Sequence, residues 1–248
     1  MKTNTVIRLM AEGKPTVGGW LGLASPLSAE YMAHIGFDWL VVDAEHSALN
    51  PETILHCFMA INSTPTIPMA RVPVNDQTVI KQILDAGALG IVVPMVMNAN
   101  EAARAVASAK YPPDGVRGIA GARCTVYGDD YHACANDEIA VIVQIEHIDA
   151  VSRAEEILGV DGVTAGFIGP RDLSASMGVE MGHPEHEAAI QKVLAVAKSI
   201  GTPLGIMTGS GPESRKRVVE GFQFVAAGGD ALYVKMMGKQ ILDEARGL

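Results

Sequence analysis

FDWLVVDAEHSALNPETILHCFMAINSTPTIPMARVP, residues 37–73, carries the pattern that decides the fold. Its first apolar run, Trp39–Asp43, is short, built from aromatic and branched residues, and ends on a charge. Such a run suits a strand buried on both faces. After a polar loop, Pro51–Asn62 starts on proline and spaces its apolar residues at helical intervals. A second short run, Pro68–Val72, closes the unit. Strand, helix, strand is a βαβ crossover, which places the two strands parallel. The same unit recurs on both sides. Thr16–Leu21, Gly90–Met95, Val141–Glu146, Gly162–Ile168, Pro203–Thr208 and Phe222–Ala227 complete eight strand candidates. Helical stretches lie between them at Ser28–Ile35, Asp76–Ala86, Asn100–Ala109, Val151–Leu158, His183–Ser199 and Pro212–Glu220. Eight alternating units predict an α/β protein, a closed (β/α)8 TIM barrel forming a single domain over residues 1–248.

Composition narrows the function. The 248 residues carry 28 acids against 19 lysines and arginines, a formal charge of −9, which argues against a nucleic-acid partner. No apolar stretch is long enough for a membrane span, since the greasiest, Gly90–Met97, is broken by Pro94. The opening MKTNTVIRLMAEGKP lacks the apolar core of a secretory signal, and Cys57, Cys124 and Cys134 are odd in number without close pairs. These features predict a cytoplasmic chain. One spacing is abnormal: 51 residues separate the predicted strand ends Met95 and Glu146, against 29 between Asp43 and Val72. The excess is a long loop at about 111–138, whose length points to a border of the active site or a subunit contact.

In such a barrel the active site lies at the carboxyl ends of the strands. Those ends supply Trp20, Asp43, Glu45, His46, Arg71, Gln144, Glu146 and Asp172. Glu146 and Asp172 either share a cation or serve as helix caps and arginine partners. Two carboxylates without a cysteine or histidine pair suit a hard ion such as Mg²⁺ or Mn²⁺ better than zinc. His46, three residues after Asp43, is either a general base oriented by that carboxylate or a solvated loop histidine. Arg71 either stabilises an enolate oxygen or forms a structural ion pair with Asp43 or Asp85. His183 and His186 read as a solvated helix start. Thr208–Pro212 and Gly228–Gly229 follow the last two strands, where many barrels hold a phosphate, and keep a phospho-ligand enzyme in view.

FDWLVVDAEH, ARVPVND, LDAGALGIVVPMV, YPPDGVRG, VIVQIE and GFIGPRDLSASMG occur in an order and spacing that resemble the HpcH/HpaI class II aldolases, over roughly Val17 to Asp230. The resemblance implies a barrel of the phosphoenolpyruvate/pyruvate type and a metal-dependent enzyme that splits or forms 4-hydroxy-2-oxo acids, with pyruvate or a related 2-oxo acid and an aldehyde as its small-molecule partners. It implies that Glu146 and Asp172 hold the divalent cation (Mg²⁺ or Mn²⁺, with Co²⁺ possible), with Gln144 beside them. His46 is then the base, supported by Asp43 and Asp85, and Arg71 steadies the pyruvate enolate formed on the metal. The amides around Gly169, Arg171 and Asp172 receive the pyruvate carboxylate, and Trp20 walls the pocket. A homo-oligomer, commonly a hexamer with an exchanged helix, is implied as well. The resemblance breaks at Ala44, Ala48, Arg171 and Ala122–Tyr127. Arg171 either adds a charge for an acidic substrate or points into a subunit contact.

Of the lysines considered, Lys81, Lys110, Lys192 and Lys198 fall on predicted helices or loops. Only Lys235 is left as a Schiff-base candidate, which favours the metal route. Competing readings are a carbon–carbon lyase acting on a CoA thioester, the phospho-ligand barrel, and a non-catalytic oligomeric scaffold.

Overall fold

The structure is a computed structural model that describes residues 1–247. Eight parallel strands pair in sequence order and β8 returns to β1, closing the predicted barrel. They are β1 Thr16–Leu21, β2 Trp39–Asp43, β3 Ile67–Arg71, β4 Gly90–Val93, β5 Ala140–Ile145, β6 Ala165–Ile168, β7 Leu204–Met207 and β8 Phe224–Gly229. The helices are α1 Thr5–Ala11, α2 Pro26–Ile35, α3 Pro51–Ile61, α4 Gln77–Ala86, α5 Ala99–Ala109, α6 Tyr131–Glu138, α7 Ile148–Ser152, α8 Ala154–Leu158, α9 Pro170–Met177, α10 Pro184–Ile200, α11 Gly211–Glu220 and α12 Asp230–Arg246. Among the described residues no helix is long and apolar enough to cross a membrane.

Strand parity separates two cores. Trp39 and Val41, Ile67 and Met69, Ala140 and Ile142, Ala165 and Phe167, and Phe224 and Ala226 fill the barrel interior. Their alternates, such as Leu40 and Val42, Ala70, and Val141, Val143 and Ile145, join the cluster beneath the helices. This follows from the two-residue period of a strand. Inside, Trp39 stacks on Phe224 with ring centroids 3.8 Å apart. A Cβ on Gly18 would lie 2.0 Å from the Trp39 ring, so only glycine admits the indole there. Helix ends follow local chemistry. Asn50, Asp76, Asn98 and Ser210 cap α3, α4, α5 and α11, and left-handed glycines end α2, α4, α10 and α11.

Several elements differ from the sequence expectation. Strand β4 stops at Val93 because Pro94 has no N–H for the ladder. Strand β6 begins only at Ala165, after a turn through Gly162 at φ 88°. The predicted helix Val151–Leu158 is two short helices that meet at Arg153. Helices α1, α6, α9 and α12 are additional to the elements the sequence predicts.

The long segment does not border this chain's active site, which leaves the subunit contact of the two expectations. It holds a 3₁₀ turn, Arg123–Tyr127, and α6. None of residues 111–138 lines the main cavity. The segment links the end of α5 to the start of β5, and in this topology both lie at the amino-terminal rim. There Arg123 Nη1 donates to the Ala86 carbonyl (2.9 Å) and Tyr127 Oη to the Gly87 carbonyl (2.6 Å). Helix α1 seals the same mouth: Val6 and Met10 enter the interior core, and Asn4 Nδ2 donates to the Leu89 carbonyl at 2.8 Å.

Candidate active site

The parity that fills the barrel interior continues to its carboxyl rim. Asp43 follows Trp39 and Val41, Arg71 follows Ile67 and Met69, Gln144 and Glu146 follow Ala140 and Ile142, and Gly169 follows Ala165 and Phe167. The interior face changes at its upper end from apolar to charged. Above it lies a cavity of about 510 Å³ lined by Trp20, His46, Arg71, Gln144, Gly169, Arg171 and Asp172, among others. That volume falls in the ordinary range for small-molecule sites.

Arg71 and Asp43 face each other across the β2–β3 ladder. Arg71 Nε donates to Asp43 Oδ1 (2.9 Å) and Nη2 to Asp43 Oδ2 (2.6 Å), while Nη1 lies 3.0 Å from Glu45 Oε2. Only Nε and one Nη2 N–H are hydrogen-bonded within the chain, so three of the five guanidinium N–H groups make no hydrogen bond there. Asp43 Oδ1 also accepts the backbone amides of Glu45 (3.1 Å) and His46 (3.3 Å), which folds the turn after β2 over the cavity. Asp43 therefore supports His46 through its backbone. The ring's acidic neighbour is Glu45, with Oε2 3.7 Å from His46 Nε2. Burial raises the Glu45 pKa, and Arg71 and His46 oppose that shift.

Glu146 is buried immediately behind Gly169 and Gln144. Its Oε1 accepts the Met95 amide (2.8 Å) and its Oε2 the Gln144 side-chain amide (2.7 Å). Met95 holds a left-handed backbone, φ 51°, uncommon for a residue with a side chain. Burial pushes the Glu146 carboxyl up to about 7, the Met95 amide opposes this, and the Asp172 and Glu45 charges add to the rise. Asp172 sits in the first turn of α9, on the cavity wall. No side chain caps the amino end of α9, so the Arg171 and Asp172 amides stay open. The two acids fit a hard divalent cation, whose charge would offset the repulsion that raises Glu146. Among the described residues no cluster of three or more His, Cys, Asp or Glu side chains could hold a metal, so water or ligand oxygens would fill the remaining positions.

Trp20 stacks on Phe167 (5.2 Å, 27°) to form the apolar wall, with the Arg71 guanidinium carbon 5.7 Å from its ring centroid. Asp85 is not brought to this cavity. It lies in the last turn of α4, at the opposite rim, where Arg117 Nη2 donates to it at 2.7 Å. A helix returning to the start of β4 must end there, so within this chain Asp85 does not support His46. His186 is not solvated either: it is buried, with Nε2 2.8 Å from the Pro170 carbonyl oxygen. The Gly209 amide, a candidate phosphate donor, is taken by Glu213 Oε2 (2.8 Å), and that carboxylate disfavours an anion. No lysine lines the cavity, and Lys235 is on α12. The sequence does not point to Phe167, Met181, Glu213 and Leu232 as cavity residues or to the Met95 amide as a partner of Glu146, whereas Thr208, Gly228 and Gly229 of the expected ligand-holding stretches do line the cavity. Extending the strand parity one step would have found Phe167.

Comparison with known proteins points the same way. Residues 16–235 match the family described as HpcH/HpaI aldolase/citrate lyase. A 4-hydroxy-2-oxo-heptane-1,7-dioate aldolase from Salmonella paratyphi C is 44% identical over 224 residues, covering 88% of this chain and 85% of that protein. A crystal structure of an HpcH/HpaI aldolase/citrate lyase family protein from Burkholderia cenocepacia superposes with a TM-score of 0.94 at 35% identity, covering 98% of this chain and all of that one. An HpcH/HpaI aldolase from Desulfitobacterium hafniense gives 0.92 at 30% identity, covering 97% and 96%.

Proposed function

The chain belongs to the HpcH/HpaI aldolase/citrate lyase family and is a class II aldolase, and from that premise we propose that it cleaves and forms 4-hydroxy-2-oxo acids such as 4-hydroxy-2-oxo-heptane-1,7-dioate, with pyruvate as the shared product. The observation that carries this reading is the buried Glu146 carboxylate, held by the Met95 amide and the Gln144 side chain behind a cavity lined by Asp172, Arg71 and His46. Glu146 and Asp172 would hold Mg²⁺, Mn²⁺ or Co²⁺, which when bound supplies Lewis-acid stabilisation of the enolate charge.

In the cleavage direction His46 takes the proton of the C4 hydroxyl. The C3–C4 bond breaks, its electron pair passes into the C2–C3 enolate, and the aldehyde leaves. His46 then returns the proton to C3, giving pyruvate. Arg71 directs its free N–H groups at the enolate oxygen, held in aim by Asp43. The open amides of Arg171 and Asp172 take the pyruvate carboxylate, which favours the amino end of a helix. Trp20 and Phe167 keep water from the reacting carbons. Gln144 orients Glu146, and the Arg171 side chain at the rim faces the aldehyde half of the substrate.

The active form is proposed to be a homo-oligomer, with a hexamer as the specific expectation. Helix α12 supports this, because Val234, Met236, Met237, Ile241 and Leu242 are all exposed on it. Helix α2 likewise exposes Leu27, Tyr31 and Ile35 at four-residue spacing. A cytoplasmic setting is proposed with it, in keeping with the three free cysteines. The test is pyruvate release, coupled to lactate dehydrogenase, from a series of 4-hydroxy-2-oxo acids with enzyme stripped of metal and then resupplied. Release should vanish on stripping and return with Mg²⁺, Mn²⁺ or Co²⁺. Full release after exhaustive chelation would refute the proposal.

A further inference from the structure

Glu45 stands between the guanidinium of Arg71 and the imidazole of His46. Its Oε2 lies 3.0 Å from Arg71 Nη1 and 3.7 Å from His46 Nε2. That oxygen is buried yet receives no hydrogen bond of good geometry. A buried acceptor left open costs free energy unless something completes it. Asp43 cannot take its place, because Asp43 Oδ1 already accepts Arg71 Nε and two backbone amides while Oδ2 accepts Arg71 Nη2. The bidentate grip of Asp43 also means that Arg71 does not need Glu45 to hold its orientation. What Glu45 adds is a negative charge on the side of Arg71 nearest the imidazole.

We propose that Glu45 is a positioning residue for the aldol reaction, setting the His46 ring beside Arg71 and serving as counterion to the imidazolium formed when His46 takes the substrate proton. The proposal rests on the reading of His46 as the base. Proton and charge balance within it: the hydroxyl proton moves to His46, Glu45 stays ionised throughout, and the proton leaves His46 for C3. The role parallels that of the carboxylate in a Ser-His-Asp triad, which orients the imidazole and stabilises its protonated form without itself taking the proton. The carboxylates and cation facing Glu45 are Asp43, Asp172 and Arg71. Because Asp43 holds the turn and the Glu45 side chain sits at the rim, exchange of its charge should leave the fold intact.

The experiment compares wild type, Glu45→Gln, His46→Asn and the double variant in the retro-aldol assay, with melting temperature and Mn²⁺ affinity measured by calorimetry on the same samples. Wild type that releases no pyruvate would sink the functional reading itself. With wild type active, Glu45→Gln should lower kcat about 10–100-fold, with KM, melting temperature and Mn²⁺ affinity within about threefold or a few degrees of wild type. In the His46→Asn background, Glu45→Gln should cost less than about threefold more, because the two act as a unit. Glu45→Asp should recover part of the lost kcat. A kcat for Glu45→Gln within twofold of wild type overturns the proposal. So does a loss that multiplies in full with that of His46→Asn, or one that only tracks lost stability or metal affinity.

Discussion

Replacing Gly169 by alanine adds one carbon at the most crowded point of the site. Built on the existing backbone, that carbon would lie 2.4 Å from Glu146 Oε2, 3.1 Å from Glu146 Cβ and 3.4 Å from Gln144 Nε2. The first contact is about 1 Å short of the 3.4 Å at which ordinary contact begins. Gly169 has φ −90°, which alanine adopts without strain, so the backbone does not resist the change. The atom that must yield is the end of a flexible carboxylate. Stability should fall by no more than about 1–2 kcal/mol, in the range for local overpacking. The proposed metal ligand, however, would move by about 1 Å, and a misplacement of that size costs about 10²-fold in rate. Gly169→Ala should therefore lower Mn²⁺ affinity about 10–100-fold and kcat about 10²-fold while the melting temperature drops only a few degrees. Calorimetric Mn²⁺ titration, pyruvate release and thermal melts on one preparation measure all three. Wild-type metal affinity together with wild-type kcat would refute the assignment of Glu146 as a ligand that must stay in place.

Other predictions concern stability, pH and assembly. Asp43→Ala leaves the buried Arg71 guanidinium with only Glu45 and should cost about 3 kcal/mol in urea unfolding; a loss below about 1 kcal/mol would contradict that pairing. Hydrogen bonds from Arg217 hold the Glu187 carboxyl down at about 2, below its ordinary 4.5. Since the folded pKa is the lower one, this contribution is complete above about 4.5 and is lost as pH falls toward 2. Glu187→Gln should thus be less stable at neutral pH and flatter in its acid response, and parallel stability curves for the two proteins would contradict this. Placing aspartates at Val234 and Ile241 on α12 should reduce the molar mass found by light scattering, whereas an unchanged mass would mean α12 is not an assembly contact.

Much of the candidate site is legible in the sequence because it is local. The charged residues close apolar runs: Asp43 ends WLVVD, Arg71 ends PMAR and Glu146 ends VIVQIE, so recognising the strands located the rim. The differences within this chain lie where a partner is remote in sequence or a direction has to be known. Asp85 stands in LDAGALGIVVPMV, one of the motifs of the resemblance, yet helix α4 carries it to the far end of this chain's barrel, where its partner Arg117 is 32 residues away. The segment 111–138 is long, but its rim is set by its connecting a helix end to a strand start. Glu45 stands at a strand end where the sequence assigns it no role, because its worth depends on Arg71 one strand over.

Taken alone, the order of residues determined the eightfold alternation of strand and helix, since the two-residue and 3.6-residue periods of apolar side chains are local properties of the chain. It also determined which residue types stand at strand ends. Closure of the barrel decided the rest. Only a closed sheet turns one parity of every strand inward, so that Trp39, Ile67 and Ala140 fill a core while Asp43, Arg71 and Glu146 crown it. Burial at that crown raises Glu146 and brings Glu45 between Arg71 and His46. These are effects of desolvation and of distances across strands, and neither exists until the strands have met.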